Sequence, residues 1–128
     1  MNNGGMGGFV KDNLVKDKSF AFAIDIVKLY KFLCEQKKEF VISKQLLRSG
    51  TSIGANVRES EYAESKSDFI HKMSIALKEA NESEYWLELL LQSNFLSKEA
   101  FVAVNSQLTE ILKLLTSIIK SSKHYEKN

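Results

Sequence analysis

Residues 97–120 read SKEAFVAVNSQLTEILKLLTSIIK, and their apolar side chains return every three or four residues without interruption. The repeating positions are Phe101, Val104, Leu108, Ile111, Leu115 and Ile118. In an α-helix this spacing puts them on one face, which must be buried against other helices. The stretch therefore predicts the last helix of a helical bundle, beginning after Ser97.

The segment before it predicts a third helix that opens near Ser65 or Ser67 and runs to about Ser93. Ser65 and Asp68 have the spacing of a capping box, with Asp in place of the usual Glu. Asn94 is a natural helix terminator. The inward face is predicted at Met73, Ala76, Ala80, Ser83, Leu87 and Leu90.

A second helix is predicted from about Ser43 to Tyr62, with small residues in its middle. Its inward face is Leu46, Gly50, Ile53, Val57 and Ser60. A glycine inside a helix costs about 1 kcal/mol relative to alanine, so we expect close packing to offset that cost. Gly50, Gly54 and Ala55 are the candidates for this packing, against a helix of the same bundle or another subunit. A kink at Gly50 is the alternative.

A first helix is predicted from about Ser19, a possible N-cap, and it carries two apolar stripes. One stripe is Phe20, Ala23, Val27, Tyr30 and Cys34, and the other is Phe22, Ile26, Leu29 and Leu33. Two stripes need two neighbours, which are two helices of the same bundle or one helix and another subunit. Residues 1–8 are predicted to be a disordered tail or a remnant of an expression vector, and residues 9–128 a single domain.

Short connections of about three to five residues make each helix turn back on the one before it. The predicted fold is therefore all-α, an antiparallel up-down-up-down four-helix bundle. The chain has 44% hydrophobic and 27% charged residues. It has no apolar run of the roughly 18–20 residues that would span a bilayer, and no N-terminal signal pattern. It is therefore expected to be a soluble cytoplasmic protein. Cys34 is the single cysteine and is expected to act as a small buried hydrophobe.

The residues that could carry chemistry do not form a catalytic or metal-binding motif. A di-iron bundle needs paired Glu-x-x-His motifs, and the nearest match is a single Asp68-x-x-His71. The helical glycines are not followed by the Lys-Ser/Thr pair of a phosphate loop. We expect no enzyme activity, no metal and no cofactor; acid/base chemistry by the acidic group of residues 79–88 ranks below the binding roles.

Charge is segregated along the chain. Residues 1–58 carry ten Lys or Arg against five Asp or Glu, whereas residues 59–100 carry four Lys against nine acids. On the second helix Lys44, Arg48 and Arg58 share one face, a basic stripe suited to nucleic-acid phosphates or to the acidic third helix inside an oligomer. Glu84 lies near the apolar face and needs a partner, for which a buried ion pair with Arg58 is predicted, and Arg48 is the other candidate.

Three segments carry a family resemblance: SFAFAIDIVKLYKFL at 19–33, SKQLLRSGTSIGANVRES at 43–60 and DFIHKMSIALKEANESEYWLELL at 68–90. Together they resemble the bacterial four-helix bundle proteins named for open reading frames in 23S rRNA intervening sequences, over about residues 9–120. The specific part is the small-residue block within 48–60. The resemblance implies a subunit that assembles into a ring, typically a pentamer, and it carries over no catalytic residues.

The accessory variability determinant of diversity-generating retroelements, a similar basic pentamer that binds a reverse transcriptase and nucleic acid, is a more distant resemblance. The expected function is therefore a non-enzymatic homo-oligomeric scaffold that binds RNA or an RNA-associated protein through a basic surface. The alternative is a protein-binding adaptor with no nucleic-acid role. No membrane partner is expected.

Overall fold

The structure, a computed structural model, describes the backbone of residues 3–127 and the side chains of residues 10–124. This part of the chain forms the helices α1 (Asn3–Gln36), α2 (Ile42–Ser60), α3 (Lys66–Gln92) and α4 (Lys98–Lys127). Consecutive helices pack against each other, and α4 closes the bundle against α1. The predicted all-α four-helix bundle is confirmed. The tail predicted for residues 1–8 lies outside the described side chains, so it and the domain limits stay predictions.

Side-chain caps fix the starts of α3 and α4. Ser65 Oγ accepts a hydrogen bond of 3.0 Å from the backbone N–H of Asp68, whose carboxylate accepts one of 3.2 Å from the N–H of Glu64. Ser97 Oγ likewise accepts from the N–H of Ala100 at 3.1 Å. These caps satisfy N–H groups that have no partner within the helix. The predicted cap at Ser65 and the predicted start of α4 after Ser97 are confirmed.

The helices α1 and α3 both end in a left-handed residue. Asn94 has φ 65° and Lys38 has φ 54°. The next backbone N–H then turns back to the helix, from Phe95 to Leu90 O at 2.9 Å and from Glu39 to Leu33 O at 3.0 Å. Asparagine tolerates this conformation better than most residues, so Asn94 ends α3 as predicted.

The core is built from the faces predicted for α2, α3 and α4. Every residue predicted to face inward on α2 and α3 is buried. On α4 the side chains of Leu108, Ile111, Leu115 and Ile118 are buried, and Phe101 and Val104 are partly buried against them. Burying one apolar stripe from each helix supplies the main stabilisation of the bundle.

The start predicted for α1 near Ser19 is wrong. The helix begins at Asn3, and Ser19 is fully buried in its middle, with its hydroxyl donating to Lys16 O at 3.2 Å. The polar run before Ser19 obscures the apolar period, although Val15 already lies in the core. Of the two stripes on α1, the one containing Phe22 and Ile26 enters the core.

One polar contact lies between α2 and α3 inside the core. The hydroxyl oxygens of Ser49 and Ser83 are 2.8 Å apart, and both residues are fully buried. Ser83 Oγ also lies 2.9 Å from the carbonyl oxygen of Glu79. Buried hydroxyls need hydrogen-bond partners, so this pair favours the offset between α2 and α3 that the packing of the core sets.

Candidate functional site

The small residues of α2 bring it close to α1. A Cβ atom on Gly50 would lie 3.0 Å from Cγ2 of Ile26, and one on Gly54 would lie 3.3 Å from the carbonyl oxygen of Ser19. Two of the candidate small residues therefore lie at a close approach between helices of one subunit. Ala55 lies beside this contact and is exposed. No break occurs at Gly50, because α2 is one continuous helix from Ile42 to Ser60.

Above this contact lies a groove of about 480 Å³ between α1 and α2, which we call the α1–α2 groove. It is lined by Lys16, Phe20, Ala23, Thr51, Gly54, Ala55, Arg58 and Glu59. The Arg58 guanidinium carbon lies 5.3 Å from the centre of the Phe20 ring, a cation–π distance. The groove has an apolar floor and a charged rim.

Of the predicted stripe that begins at Phe20, only Phe20 and Val27 are exposed, and Ala23, Tyr30 and Cys34 are half-buried. Ile24, which belonged to neither predicted stripe, lies between Phe20 and Val27 on the helix surface. Phe20, Ile24 and Val27, which we call the outer α1 face, have exposed fractions of 53%, 44% and 37%. Phe20 belongs to both this face and the groove. Within the described side chains no helix covers this face. The helix α1 packs against both α2 and α4, which is the first of the two arrangements predicted for its apolar stripes, and it still leaves this face open.

Arg48, the middle residue of the predicted basic stripe, is neutralised within the subunit. Its Nη1 lies 3.0 Å from Glu79 Oε2, and its Nη2 contacts Glu82 Oε2. Trp86 Nε1 donates to the same Glu82 oxygen at 3.0 Å. The Trp86 hydrogen bond and the Arg48 charge lower the pKa of Glu82 below its usual range, although partial burial acts in the other direction. This cluster ties α2 to α3.

The predicted buried ion pair between Glu84 and Arg58 is not formed. The Ser49–Ser83 contact places Glu84 beside the first half of α2. Arg58 lies nine residues beyond Ser49, which is about 13 Å along a helix. Arg58 is exposed over Phe20, while Glu84 is half-buried. The acidic side chains that α3 offers to α2 are those of Glu79 and Glu82, and they bind Arg48.

Lys44 is exposed and forms no ion pair with any described residue. Of the three residues predicted to contact nucleic acid, Lys44 and Arg58 face solvent, and Arg48 does not offer a free charge. Cys34 is half-buried, with its sulfur 3.9 Å from Ser43 Oγ.

Sequence reasoning did not assign a role to Glu39. Its buried carboxylate accepts hydrogen bonds from the backbone N–H groups of Val41, Ile42 and Ser43 at 3.0, 3.0 and 2.6 Å. Burial alone would raise the pKa of this carboxyl, but the three N–H bonds lower it overall. The signal in the sequence was an acidic residue just ahead of a helix start, where the helix dipole favours negative charge.

None of the helices over residues 3–127 is long and apolar enough to cross a membrane. Among the described side chains of residues 10–124, no three of His, Cys, Asp or Glu gather into a group that could hold a metal ion.

The sequence model of a family described as 23S rRNA-intervening sequence protein matches residues 11–117. The chain belongs to this family. A solved structure from Bacteroides thetaiotaomicron VPI-5482, described as a protein of unknown function from the S23 ribosomal protein family, is 64% identical. The alignment covers 86% of this chain and 98% of that one, with a TM-score of 0.85. No curated protein matches the chain. Membership of the 23S rRNA-intervening sequence protein family confirms the resemblance read from the sequence.

Proposed function

We propose that this protein is a non-enzymatic scaffold that self-associates through the outer α1 face and the α1–α2 groove, and that holds RNA or an RNA-associated protein on a basic surface. The observation that carries the proposal is the exposed row of Phe20, Ile24 and Val27. Exposing apolar surface costs about 25 cal/mol per Å², so a contiguous apolar face favours a protein contact.

The family supports a contact between identical subunits. The resemblance of this chain to ring-forming proteins implies a closed homo-oligomer, typically a pentamer. In a ring, one face of each subunit meets a different face of the next. An apolar face along one side of α1, with a groove beside it, is suited to such a head-to-tail contact.

The non-enzymatic part of the proposal is supported by where the reactive side chains lie. Cys34 lies next to the hydroxyl of Ser43 rather than a base, and His71 is exposed on the outside of α3. A nucleophile normally needs a base within hydrogen-bond reach and a third group that orients that base. A scaffold needs neither.

A protein-binding adaptor is the second candidate, and the pairing of Arg48 favours it. The ion pairs of Arg48 with Glu79 and Glu82 remove the central charge of the stripe that would contact phosphates. Exposed Lys44, which lies outside the groove, supports the RNA role. Affinity for RNA that falls steeply with salt separates the two, because phosphate contacts release counterions.

Light scattering tests the self-association. At micromolar concentration the protein should have a mass several times the 14.5 kDa of one chain. The double variant Ile24→Glu, Val27→Glu should keep its helical circular dichroism spectrum but approach the mass of one chain, because charges then fill the apolar contact.

Val102→Glu is the control for a charge placed on an exposed apolar position, since Val102 is an exposed valine on α4; it is compared with the single variant Val27→Glu as well as with the double variant. It should keep the mass of the wild type. A monomeric wild type would overturn the scaffold, and dissociation of the control to the same extent would show that the interface lies elsewhere.

A further inference from the structure

We propose that the turn between α1 and α2 carries a binding site for single-stranded RNA, in which two exposed phenylalanine rings stack on bases and lysines contact phosphates. The inference rests on the proposed function for RNA as the ligand. The inference adds the location of the RNA-binding site and the requirement that the RNA be single-stranded. We call the site the α1–α2 turn platform; it consists of Phe32 and Phe40 with Lys28, Lys31, Lys37, Lys38 and Lys44.

The two rings of the platform are unusually open. Phe32 and Phe40 have exposed fractions of 43% and 57%, and Val41 next to them is also exposed. They lie at the end of α1 and in the connection to α2, beyond Val27, the last residue of the outer α1 face. Each base of a single strand offers a flat π-face, and stacking on an exposed ring does not depend on the base identity.

The segment that carries these rings is strongly positive. Between residues 28 and 44 the chain has five lysines against two glutamates. All five lysines are exposed, and none forms an ion pair with a described residue. Lys37 Nζ lies over the Phe32 ring, 6.0 Å from its centre, so a cation is already held at this ring. A strand that stacks on the ring would bring its phosphate to this lysine.

The two acidic residues in this segment behave differently. Glu39 turns its carboxylate inward, where three backbone N–H groups of α2 bind it. Its charge is therefore directed at the start of α2 and away from the outside of the turn. Glu35 is exposed on α1 and is the acidic side chain of this segment that faces solvent.

The backbone of the turn is held in one shape. Lys38 has a left-handed conformation, and the N–H of Glu39 is bonded to Leu33 O at 3.0 Å. Together with the Glu39 cap, these bonds fix the turn from both sides. A platform that is ordered before binding loses less conformational entropy when the strand arrives.

A single strand fits this surface better than a duplex does. In double-stranded RNA the base faces are stacked on each other, and side chains reach only the backbone and the shallow groove. Rings that project from the end of a bundle can stack only on bases that are already free. An anionic membrane surface shares the preference for lysines and aromatic rings, so vesicles are part of the test.

Fluorescence anisotropy with fluorescein-labelled ten-nucleotide oligouridine measures the binding. Phe32→Leu and Phe40→Leu keep an apolar side chain but remove the ring, and each should weaken binding roughly fivefold or more. The triple variant Lys37→Gln, Lys38→Asn, Lys44→Gln should reduce the slope of log affinity against log salt by about two. Asparagine at position 38 keeps the left-handed conformation accessible.

The charge-matched control is Lys113→Gln, Lys120→Gln, Lys123→Gln on the last part of α4. This part of α4 lies at the opposite end of the bundle, because Lys11 near the start of α1 bonds Ser117 at 2.8 Å. The control should keep most of its affinity and the salt slope of the wild type. Light scattering on each variant should give the mass of the wild type, since the platform does not include the outer α1 face.

The outcomes separate the platform from the scaffold. If the wild type binds oligouridine and the platform variants bind it equally well, the platform is wrong and the RNA role of the scaffold stands. If the wild type binds no oligouridine at any salt concentration, the RNA role and the platform are both wrong. The proposed self-association is tested separately, by the mass from light scattering. Binding to phosphatidylserine vesicles but not to oligouridine would overturn the platform in favour of a lipid surface.

Discussion

Replacing Gly50 by alanine, alone and together with Ile26→Ala, measures how tightly α1 and α2 pack. The new Cβ would lie 3.0 Å from Cγ2 and 3.1 Å from Cγ1 of Ile26. Carbon atoms prefer about 3.5–4.0 Å, and a β-branched side chain in a helix has essentially one χ1 rotamer, so Ile26 cannot swing aside. Overpacking of this kind costs about 1–3 kcal/mol, of which about 1 kcal/mol is offset because alanine favours the helix.

The double variant turns this clash into a measurable coupling. Ile26→Ala removes both γ-carbons and, because Ile26 is fully buried, should cost about 2–5 kcal/mol by itself. With those carbons gone, the alanine at position 50 fills part of the space and keeps its helix preference. The free energy of unfolding of the double variant should then exceed the additive expectation by about 1–3 kcal/mol.

Urea denaturation followed by circular dichroism gives the four free energies of the cycle. All four proteins must be compared at one concentration, because association adds to the measured stability. Ile118→Ala is the control, since Ile118 is a buried isoleucine of α4 far along the bundle from Gly50. Its cycle with Gly50→Ala should be additive. Additivity within about 0.5 kcal/mol in the Ile26 cycle as well would refute the close contact.

Two further predictions concern the same pair of helices. Gly54→Leu should destabilise the fold or the assembly by about 1–3 kcal/mol or more, because even a Cβ atom at this position would lie 3.3 Å from the backbone oxygen of Ser19. Gly54→Ala is the control. A Gly54→Leu protein that melts at the same temperature as Gly54→Ala would contradict this prediction. The pKa of Glu39 is lower in the folded state than in the unfolded state, so its stabilisation is present above the unfolded pKa and lost as the pH falls through the folded pKa. Thermal melts of wild type and Glu39→Gln should therefore differ at pH 7 and converge in acid, and a constant difference would exclude this role.

The fold could be predicted because α3 and α4 have clear boundary signals in the sequence. Ser65 and Ser97 cap helix starts, Asn94 ends a helix, and the apolar spacing of α4 is regular. Each of these signals depends on a few neighbouring residues, which is why the sequence is enough. The prediction of where α1 starts failed for the opposite reason. Ser19 has the chemistry of a cap, but burial against Gly54 of another helix decides its role.

The candidate site was less predictable, because it depends on how far one helix is shifted along the axis of the next. Periodicity gives the angle of a residue around its helix but not its partner on another helix. The sequence left open whether the basic residues of α2 meet solvent or the acidic residues of α3, and the ion pair that it predicted was Glu84 with Arg58. In the structure Glu79 and Glu82 bind Arg48 instead. The offset between α2 and α3 is fixed by packing in the core, which the sequence pattern does not contain.

The role of Glu39 was missed for a related reason. A capping carboxylate is usually Asp at the helix boundary, where a short side chain reaches the free N–H groups. Here the left-handed turn at Lys38 brings a longer Glu side chain back onto the start of α2. Only the backbone path shows that its charge is turned inward.

The hydroxyl pair of Ser49 and Ser83 limits which substitutions this sequence can accept during evolution. A change to alanine at one position leaves the hydroxyl of the other with a poorer set of partners inside an otherwise apolar core. A change at both positions removes two small polar groups together and is tolerated more easily. Substitutions at these positions should therefore accumulate as pairs among descendants of this gene, a covariation that records the contact between the two helices.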